Sequence, residues 1–168
     1  SDAPDGPAPD LVVIGHQWWW EVRYPKAGFT TANEIHLPLG RPWLVRLESA
    51  DVIHDFWVPA LARKSDLIPG VTNHIWLEAD HAGLYRGACA EYCGAEHAWM
   101  RLLVIAQPEA QFAAWAAAQA PPSAAPASAL ARRGRELFLE KTCVNCHSAR
   151  GLGASADAGP GDGSYPKK

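Results

Sequence analysis

Apolar and polar residues alternate in short runs along the first two thirds of the chain. Alternation with a period of two, in runs rich in Val, Ile, Trp and Tyr, is typical of β-strands that bury one face. Turn-forming clusters such as G-R-P (40–42) and P-G (69–70) separate the runs. The pattern predicts strands at residues 11–22, 33–38, 43–49, 52–58, 71–79, 84–89 and 99–106.

Many short strands at regular spacing indicate an all-β sandwich or barrel over residues 11–107, after a polar lead at residues 1–10. The pattern then changes. A proline, an early acid and an Ala-rich body predict a short helix over residues 108–120. A Pro/Ala/Ser-rich linker follows at residues 121–128, and a helical segment opens the remainder, residues 129–168.

Composition narrows the function classes. The chain has 168 residues, enough for one good core plus a smaller fragment. With a net charge of −3, the chain lacks the excess of positive charge that is typical of nucleic-acid-binding proteins, so no nucleic-acid partner is expected. No apolar run approaches the length of about 18 residues that a membrane span needs, and the first ten residues are not a signal peptide. We therefore expect any membrane anchor to lie upstream of Ser1.

Potential metal ligands are concentrated in G-A-C-A-E-Y-C-G-A-E-H-A-W-M (87–100), which has the spacing C-x3-C-x3-H-x2-M. Thiolate, imidazole and thioether groups together favour copper over magnesium or calcium. Zinc is an alternative for the cysteines and the histidine, although structural zinc sites do not normally use methionine. A buried pair or a disulfide is the simpler interpretation of the cysteines, and core filling that of the methionine. Four ligand-type residues on one loop favour a metal site.

A second imidazole is needed from elsewhere, and His54 is the best candidate. The alternation in D-V-I-H-D-F-W-V-P (51–59) puts Val52, His54 and Phe56 on one strand face, close to a turn. A lone buried histidine is more often a core residue than a ligand, and the pattern alone does not single out His54.

Four stretches together resemble the copper-A domain of cytochrome c oxidase subunit II. They are G-H-Q-W-W-W (15–20), D-V-I-H-D-F-W-V-P (51–59), K-S-D-L-I-P-G (64–70) and the sulfur-rich stretch at 87–100, in that order. The resemblance covers roughly residues 11–120. It implies a cupredoxin-like Greek-key β-sandwich that carries a dinuclear copper centre.

The resemblance also implies the ligand set. Two ligands are bridging thiolates, two are imidazoles that each bind one copper, and two are weaker ligands, one for each copper. In that order they are Cys89 and Cys93, His54 and His97, and Met100 and the backbone carbonyl of Glu91.

Neighbouring residues acquire roles by the same resemblance. Trp18 matches the exposed tryptophan through which the family accepts electrons, and Asp51 matches an acid of the donor-docking region. Ala50 stands where relatives often have a second acid, which reduces the docking charge. The Glu91 side chain matches a contribution to a magnesium site at the junction with subunit I. Asp66 matches a family acid, and a solvated loop carboxylate accounts for it equally well.

The C-terminal C-V-N-C-H (143–147) is the signature of haem c attachment. Cys143 and Cys146 would bond to the vinyl groups, and His147 would be the proximal iron ligand. The preceding helix resembles the first helix of a small cytochrome c domain, which some subunit II proteins carry as a fusion. No methionine follows His147 to serve as distal ligand. We therefore expect a truncated cytochrome c segment at 129–168, and an idle or disulfide-bonded cysteine pair is the alternative.

The resemblance implies a function in electron entry. Cytochrome c or the fused haem c domain would donate electrons, and haem in oxidase subunit I would accept them and reduce oxygen. The chain would then be a relay within an oxidoreductase, on the periplasmic face of a bacterial inner membrane. The alternatives are the copper-A module of another reductase such as nitrous-oxide reductase, a carrier with one copper, and a copper chaperone or sensor.

Overall fold

Ten β-strands in two five-stranded sheets dominate the fold in a computed structural model, which describes residues 8–119 and 126–141. The chain divides into two compact units, Ser1–Ala120 and Pro121–Lys168. The strands all belong to the first unit. They are β1 (Leu11–His16), β2 (Trp19–Tyr24), β3 (Phe29–Ala32), β4 (Glu34–Pro38), β5 (Trp43–Ser49), β6 (His54–Trp57), β7 (Ser65–Leu67), β8 (Asn73–Leu77), β9 (Gly83–Cys89) and β10 (Arg101–Gln107).

The two sheets mix parallel and antiparallel pairs. The first has the order β3-β2-β1-β5-β8, and the second has the order β4-β10-β9-β6-β7. Strand β1 runs parallel to β5, and β10 runs parallel to β4, whereas all the other described pairs are antiparallel. Each parallel pair joins strands that are distant along the chain. The prediction of an all-β sandwich is confirmed.

The core lies between the sheets and is built from the inward positions of each strand. Leu11, Val13 and Leu47 of the first sheet are fully buried, as are Ile35 and Val104 of the second. Full burial of such a side chain contributes about 1.5–3 kcal/mol. Aromatic residues extend this core toward β6, where Trp20 meets Phe56 edge to face with ring centroids 5.7 Å apart.

The prediction of one strand over residues 11–22 is wrong. The chain turns at Gln17 and Trp18, so that β1 and β2 form an antiparallel hairpin. No glycine or proline occupies this turn, and alternation continues through it, which explains why the pattern missed the break. The short strands β3 and β7 were also not predicted.

Helix α1 (Glu109–Gln119) matches the predicted helix at 108–120 and packs against the sandwich through two aromatic residues. Phe112 meets Trp43 edge to face at 5.2 Å, and Trp115 meets Tyr24 at 5.4 Å. Helix α2 (Ala129–Glu140) belongs to the second unit, and the Ser128 side chain caps it. Within the described residues, neither helix is long and apolar enough to cross a membrane. The predicted linker at 121–128 lies outside the described residues except at 126–128.

From the surroundings of His36 on β4, we predict that acid destabilises the first unit. Its ring stacks on Trp115 at 3.7 Å, and its buried Nδ1 has no hydrogen-bond partner. Burial lowers the pKa of His36, and the opposing effects of Glu34 and Gln107 do not offset it. His36 therefore binds a proton more readily in the unfolded chain than in the folded protein. The folding stability that is present above the unfolded pKa of about 6.5 is lost as the pH falls.

We expect a His36→Gln variant to show a shallower loss of stability between pH 7.5 and pH 5 than the unaltered protein. Urea unfolding at several pH values measures it. His81→Gln is the matched control, because His81 is exposed. Equal pH slopes for the unaltered protein and His36→Gln would contradict the prediction.

Candidate metal centre

The sulfur-rich loop, residues 89–100, connects β9 to β10. Its two ends are held together, because the backbone N–H of Cys89 donates to the carbonyl oxygen of Met100 at 2.9 Å. A short 3-10 helix, His97–Trp99, lies just before the loop ends. A sequence of twelve residues is thereby folded back on itself, and this brings its ligand-type side chains to one place.

The two thiols form the centre of the cluster. Cys89 and Cys93 are free and buried, with their Sγ atoms 3.8 Å apart. His54 places Nδ1 3.9 Å from the Cys89 Sγ, and His97 places Nδ1 3.5 Å from the Cys93 Sγ. One imidazole therefore lies beside each sulfur.

The two weaker ligand candidates lie beside the same sulfurs. The Met100 Sδ is 3.7 Å from the Cys93 Sγ, and the backbone carbonyl oxygen of Glu91 is 3.1 Å from the Cys89 Sγ. The structure thus brings together all six ligand groups that the family resemblance implies. The ligand atoms of His54, Cys89 and Cys93 also lie within 4.8 Å of one another.

His54 is oriented by a carboxylate that lies three residues earlier. It is the first residue of β6 and is fully buried, and its Nε2 lies 2.8 Å from the Asp51 Oδ1. The hydrogen bond between Nε2 and Asp51 fixes the ring so that Nδ1 faces Cys89. Burial lowers the pKa of His54, but hydrogen bonds to Asp51 and Cys89 outweigh it and raise that pKa to about 9.

A glycine makes room for this imidazole. A Cβ atom on Gly15 would lie 2.7 Å from the His54 Cδ2, closer than any stable contact. Trp20 lies near the same ring, with ring centroids 6.0 Å apart. Gly15 on β1 is a functional position that the sequence reasoning missed, because nothing local links it to a histidine 39 positions later.

The two thiols differ in acidity. Burial raises the pKa of Cys89, but the hydrogen bond to His54 and further hydrogen bonds outweigh it and bring that pKa down to about 7. Burial and the neighbouring Cys89 raise the pKa of Cys93 to about 12. Cys89 is therefore the more acidic of the two thiols, and it lies beside an imidazole whose pKa is raised. Binding of a metal by both sulfurs would require loss of the Cys93 proton.

Three further predicted residues lie close to the centre or on a neighbouring strand. Trp18 is half-buried, and its Nε1–H donates to the Cys93 carbonyl at 3.1 Å. Asp51 keeps 31% of its side-chain exposure and binds both His54 and the backbone N–H of Gln17. Asp66 is exposed on β7 opposite Asp55 of β6, and burial together with a hydrogen bond to Asp66 raises the pKa of Asp55 to about 6.

The predicted haem attachment residues Cys143, Cys146 and His147 lie outside the described residues. Of the predicted cytochrome segment at 129–168, the structure describes residues 129–141, which contain helix α2.

The donor set fits copper better than the alternatives. Two thiols, two imidazoles and a thioether are soft or borderline ligands, which copper prefers and which magnesium and calcium do not. A structural zinc site takes four strong ligands and does not use a methionine. The sulfur separation of 3.8 Å also sets aside the interpretation of Cys89 and Cys93 as a disulfide in this structure, since a disulfide bond is about 2.05 Å long.

Comparison with known proteins points the same way. Residues 28–107 match the family model described as cytochrome c oxidase subunit II, periplasmic domain. The chain is 42% identical over 146 residues to cytochrome c oxidase subunit 2 of Alkalihalophilus pseudofirmus, covering 87% of this chain and 43% of that protein. It is 32% identical to the Bacillus subtilis subunit 2, covering 90% of this chain and 45% of that one. The chain therefore spans a little under half the length of these relatives.

Solved structures extend the similarity to the fold. The periplasmic domain of subunit II of cytochrome oxidase (CoxB) from Bradyrhizobium japonicum is 32% identical, with a TM-score of 0.62 over 67% of this chain and 95% of that chain. A mixed disulfide intermediate between the thioredoxin-like TlpAs and subunit II of cytochrome c oxidase gives a TM-score of 0.59 at 31% identity, over 69% and 94% of the two chains. These matches confirm the prediction of a cupredoxin-like sandwich.

Proposed function

This chain belongs to the family of cytochrome c oxidase subunit II periplasmic domains, and from that premise we propose that it is the electron-entry domain of a haem-copper terminal oxidase. The observation that carries the proposal is the cluster of two free, buried thiols with one imidazole beside each sulfur. A single-copper carrier would need only one of these thiols. The pairing therefore supports a dinuclear copper-A centre.

We assign the ligands as the family resemblance implies. Cys89 and Cys93 would hold both coppers between them, and His54 and His97 would each bind one. The Met100 thioether and the Glu91 carbonyl would supply the weak outer bonds. When bound, the copper pair shares one added electron between two ions. His54 at the start of β6 and Cys89 at the end of β9 are buried and held by a sheet, which limits rearrangement as that electron arrives and leaves and favours fast transfer.

The path for electron entry is supported by Trp18. Its indole N–H is bonded to the carbonyl of Cys93, so the half-buried ring is in direct contact with the backbone of a ligand. Electrons from a docked donor would pass from the Trp18 ring through Cys93 to the metal centre. Docking of the donor at Asp51 remains a prediction. Both oxygens of this carboxylate bind groups within the site.

The acceptor is proposed to be haem in subunit I, where oxygen is reduced. The Glu91 side chain is exposed and therefore accessible to a partner. Its Oε1 accepts the backbone N–H of Tyr92. A magnesium ion at the junction would use this carboxylate together with groups from subunit I. Membership of a periplasmic-domain family supports placement on the outer face of a bacterial inner membrane, with an anchor elsewhere in the full-length protein.

The haem c segment is proposed from the C-V-N-C-H motif at 143–147, which is the signature of haem c attachment. We propose that Cys143 and Cys146 attach haem c and that His147 binds its iron. The haem would then donate electrons to copper within one chain.

Copper titration of the reduced protein tests the proposed function. We expect two copper ions per chain and a purple absorption spectrum from the shared electron. Elemental analysis gives the number of copper ions per chain, and the same titration with zinc serves as the comparison. One copper per chain would favour a single-copper carrier, and rapid exchange of copper with a chelator would favour a chaperone. Either result would overturn the proposal.

A further inference from the structure

Gln17 makes two hydrogen bonds to two separate parts of the metal centre. It lies at the turn between β1 and β2, where it is exposed. Its side-chain Nε2 donates to the Cys93 carbonyl at 2.8 Å, and its backbone N–H donates to the Asp51 Oδ2 at 2.7 Å. One residue outside the ligand set therefore reaches both the sulfur-rich loop and the loop that precedes β6.

The second bond extends to a ligand. The other oxygen of Asp51 lies 2.8 Å from the His54 Nε2. Gln17 is thus connected to His54 through one carboxylate and to Cys93 directly. These two ligands lie 39 residues apart in sequence and are held by different loops, so a common tether restricts their relative movement.

The Cys93 carbonyl is fully used by this arrangement. It accepts the Gln17 side chain at 2.8 Å and the Trp18 indole N–H at 3.1 Å, which occupies both of its lone pairs. Gly94 permits both bonds. Its φ is +120°, and a Cβ there would lie 2.9 Å from the Gln17 Nε2 and 3.0 Å from the Trp18 Nε1. A side chain at this position would push both donors away from the carbonyl.

We infer that Gln17 is a positioning residue of the centre, which holds Cys93 and, through Asp51, His54 at the separation that copper needs before the metal arrives. This inference rests on the proposed copper function. Groups that orient the ligands of a metal site affect metal affinity even though they do not touch the metal. Because Gln17 is exposed, its substitution removes little buried apolar surface, so an effect on copper is separable from an effect on folding.

Two variants test the inference in the copper-loaded protein. Gln17→Leu removes the side-chain donor and keeps the backbone N–H. Gln17→Glu keeps the size and shape but offers only oxygen acceptors to the Cys93 carbonyl when ionised. We expect both to release copper to a chelator about three to ten times faster than the unaltered protein, since a net hydrogen bond contributes about 1 kcal/mol. Gln111→Leu, at an exposed position of α1, is the matched control and is expected to leave the rate unchanged.

A metal-free readout separates this inference from the proposed function. In reduced, copper-free protein we expect the Trp18 indole proton to exchange with solvent several times faster in Gln17→Leu and Gln17→Glu, because the carbonyl that it binds is less firmly held. Failure of the unaltered chain to bind two coppers would refute the proposed function and leave this comparison intact. Unchanged copper release and indole exchange in both variants, or unchanged values in Gln17→Glu alone, would overturn the inference.

Discussion

A Cys93→Ser variant is expected to bind no more than one copper ion per chain and to lack the purple spectrum of the copper pair. The Cys93 sulfur lies within 3.8 Å of the Cys89 Sγ, the His97 Nδ1 and the Met100 Sδ, so its loss affects three of the other proposed ligands. A serine hydroxyl is a hard donor that stays protonated at neutral pH and cannot bridge two soft ions. The loss should be complete, because the remaining thiol cannot hold both ions.

Elemental analysis and absorption after copper addition measure this effect. Cys146→Ser is the matched control, since it removes a thiol of the C-terminal motif and leaves the sulfur-rich loop unchanged. The exchange is nearly isosteric, so we expect the copper-free Cys93→Ser protein to remain folded. Two coppers per chain with the purple spectrum in Cys93→Ser would show that the ligand assignment is wrong.

An Asp51→Ala variant is expected to weaken copper binding by about 10- to 100-fold. The carboxylate fixes the Nε2 side of His54 and so directs Nδ1 toward Cys89. Without it the His54 N–H is left buried and unpaired, which costs about 1–3 kcal/mol in the folded state. Backbone N–H groups of Gln17 and Val52 also lose their acceptor. Both copper affinity and folding stability should therefore decrease.

Competition with a copper chelator and urea unfolding of the copper-free protein measure the two effects. Asp80→Ala serves as the control because Asp80 is an exposed acid outside the site. The same variant tests the docking prediction for Asp51. If Asp51→Ala lowered only the rate of electron transfer from the donor, with copper affinity unchanged, Asp51 would be a docking residue and not a support of His54.

The sequence predicted the sandwich well because its signals are local. Alternation over five to seven residues reports which faces are buried, and most predicted strands match observed ones within two residues. The errors have local causes too. The turn at Gln17 has no glycine or proline, and β7 is only three residues long, too short for a period to be recognised.

The sulfur-rich loop was equally accessible to prediction, since its ligand-type residues lie within twelve positions of one another and their spacing is itself the signal. Burial alone did not distinguish His54. His16 and His36 are buried as well, one bonded to Glu21 and the other stacked on Trp115. The resemblance to a family, and not the pattern of polarity, identified the second imidazole.

The sequence by itself determined the class of fold and the chemistry of the loop, because both depend on residues that are neighbours along the chain. Only the tertiary structure decided which distant groups complete the centre. Gly15 makes space for His54, and Gln17 reaches Cys93 across 76 residues. These contacts depend on the pairing of β1 with β5 and on the packing of one sheet against the other, and no local period encodes the register of strands that meet only after folding.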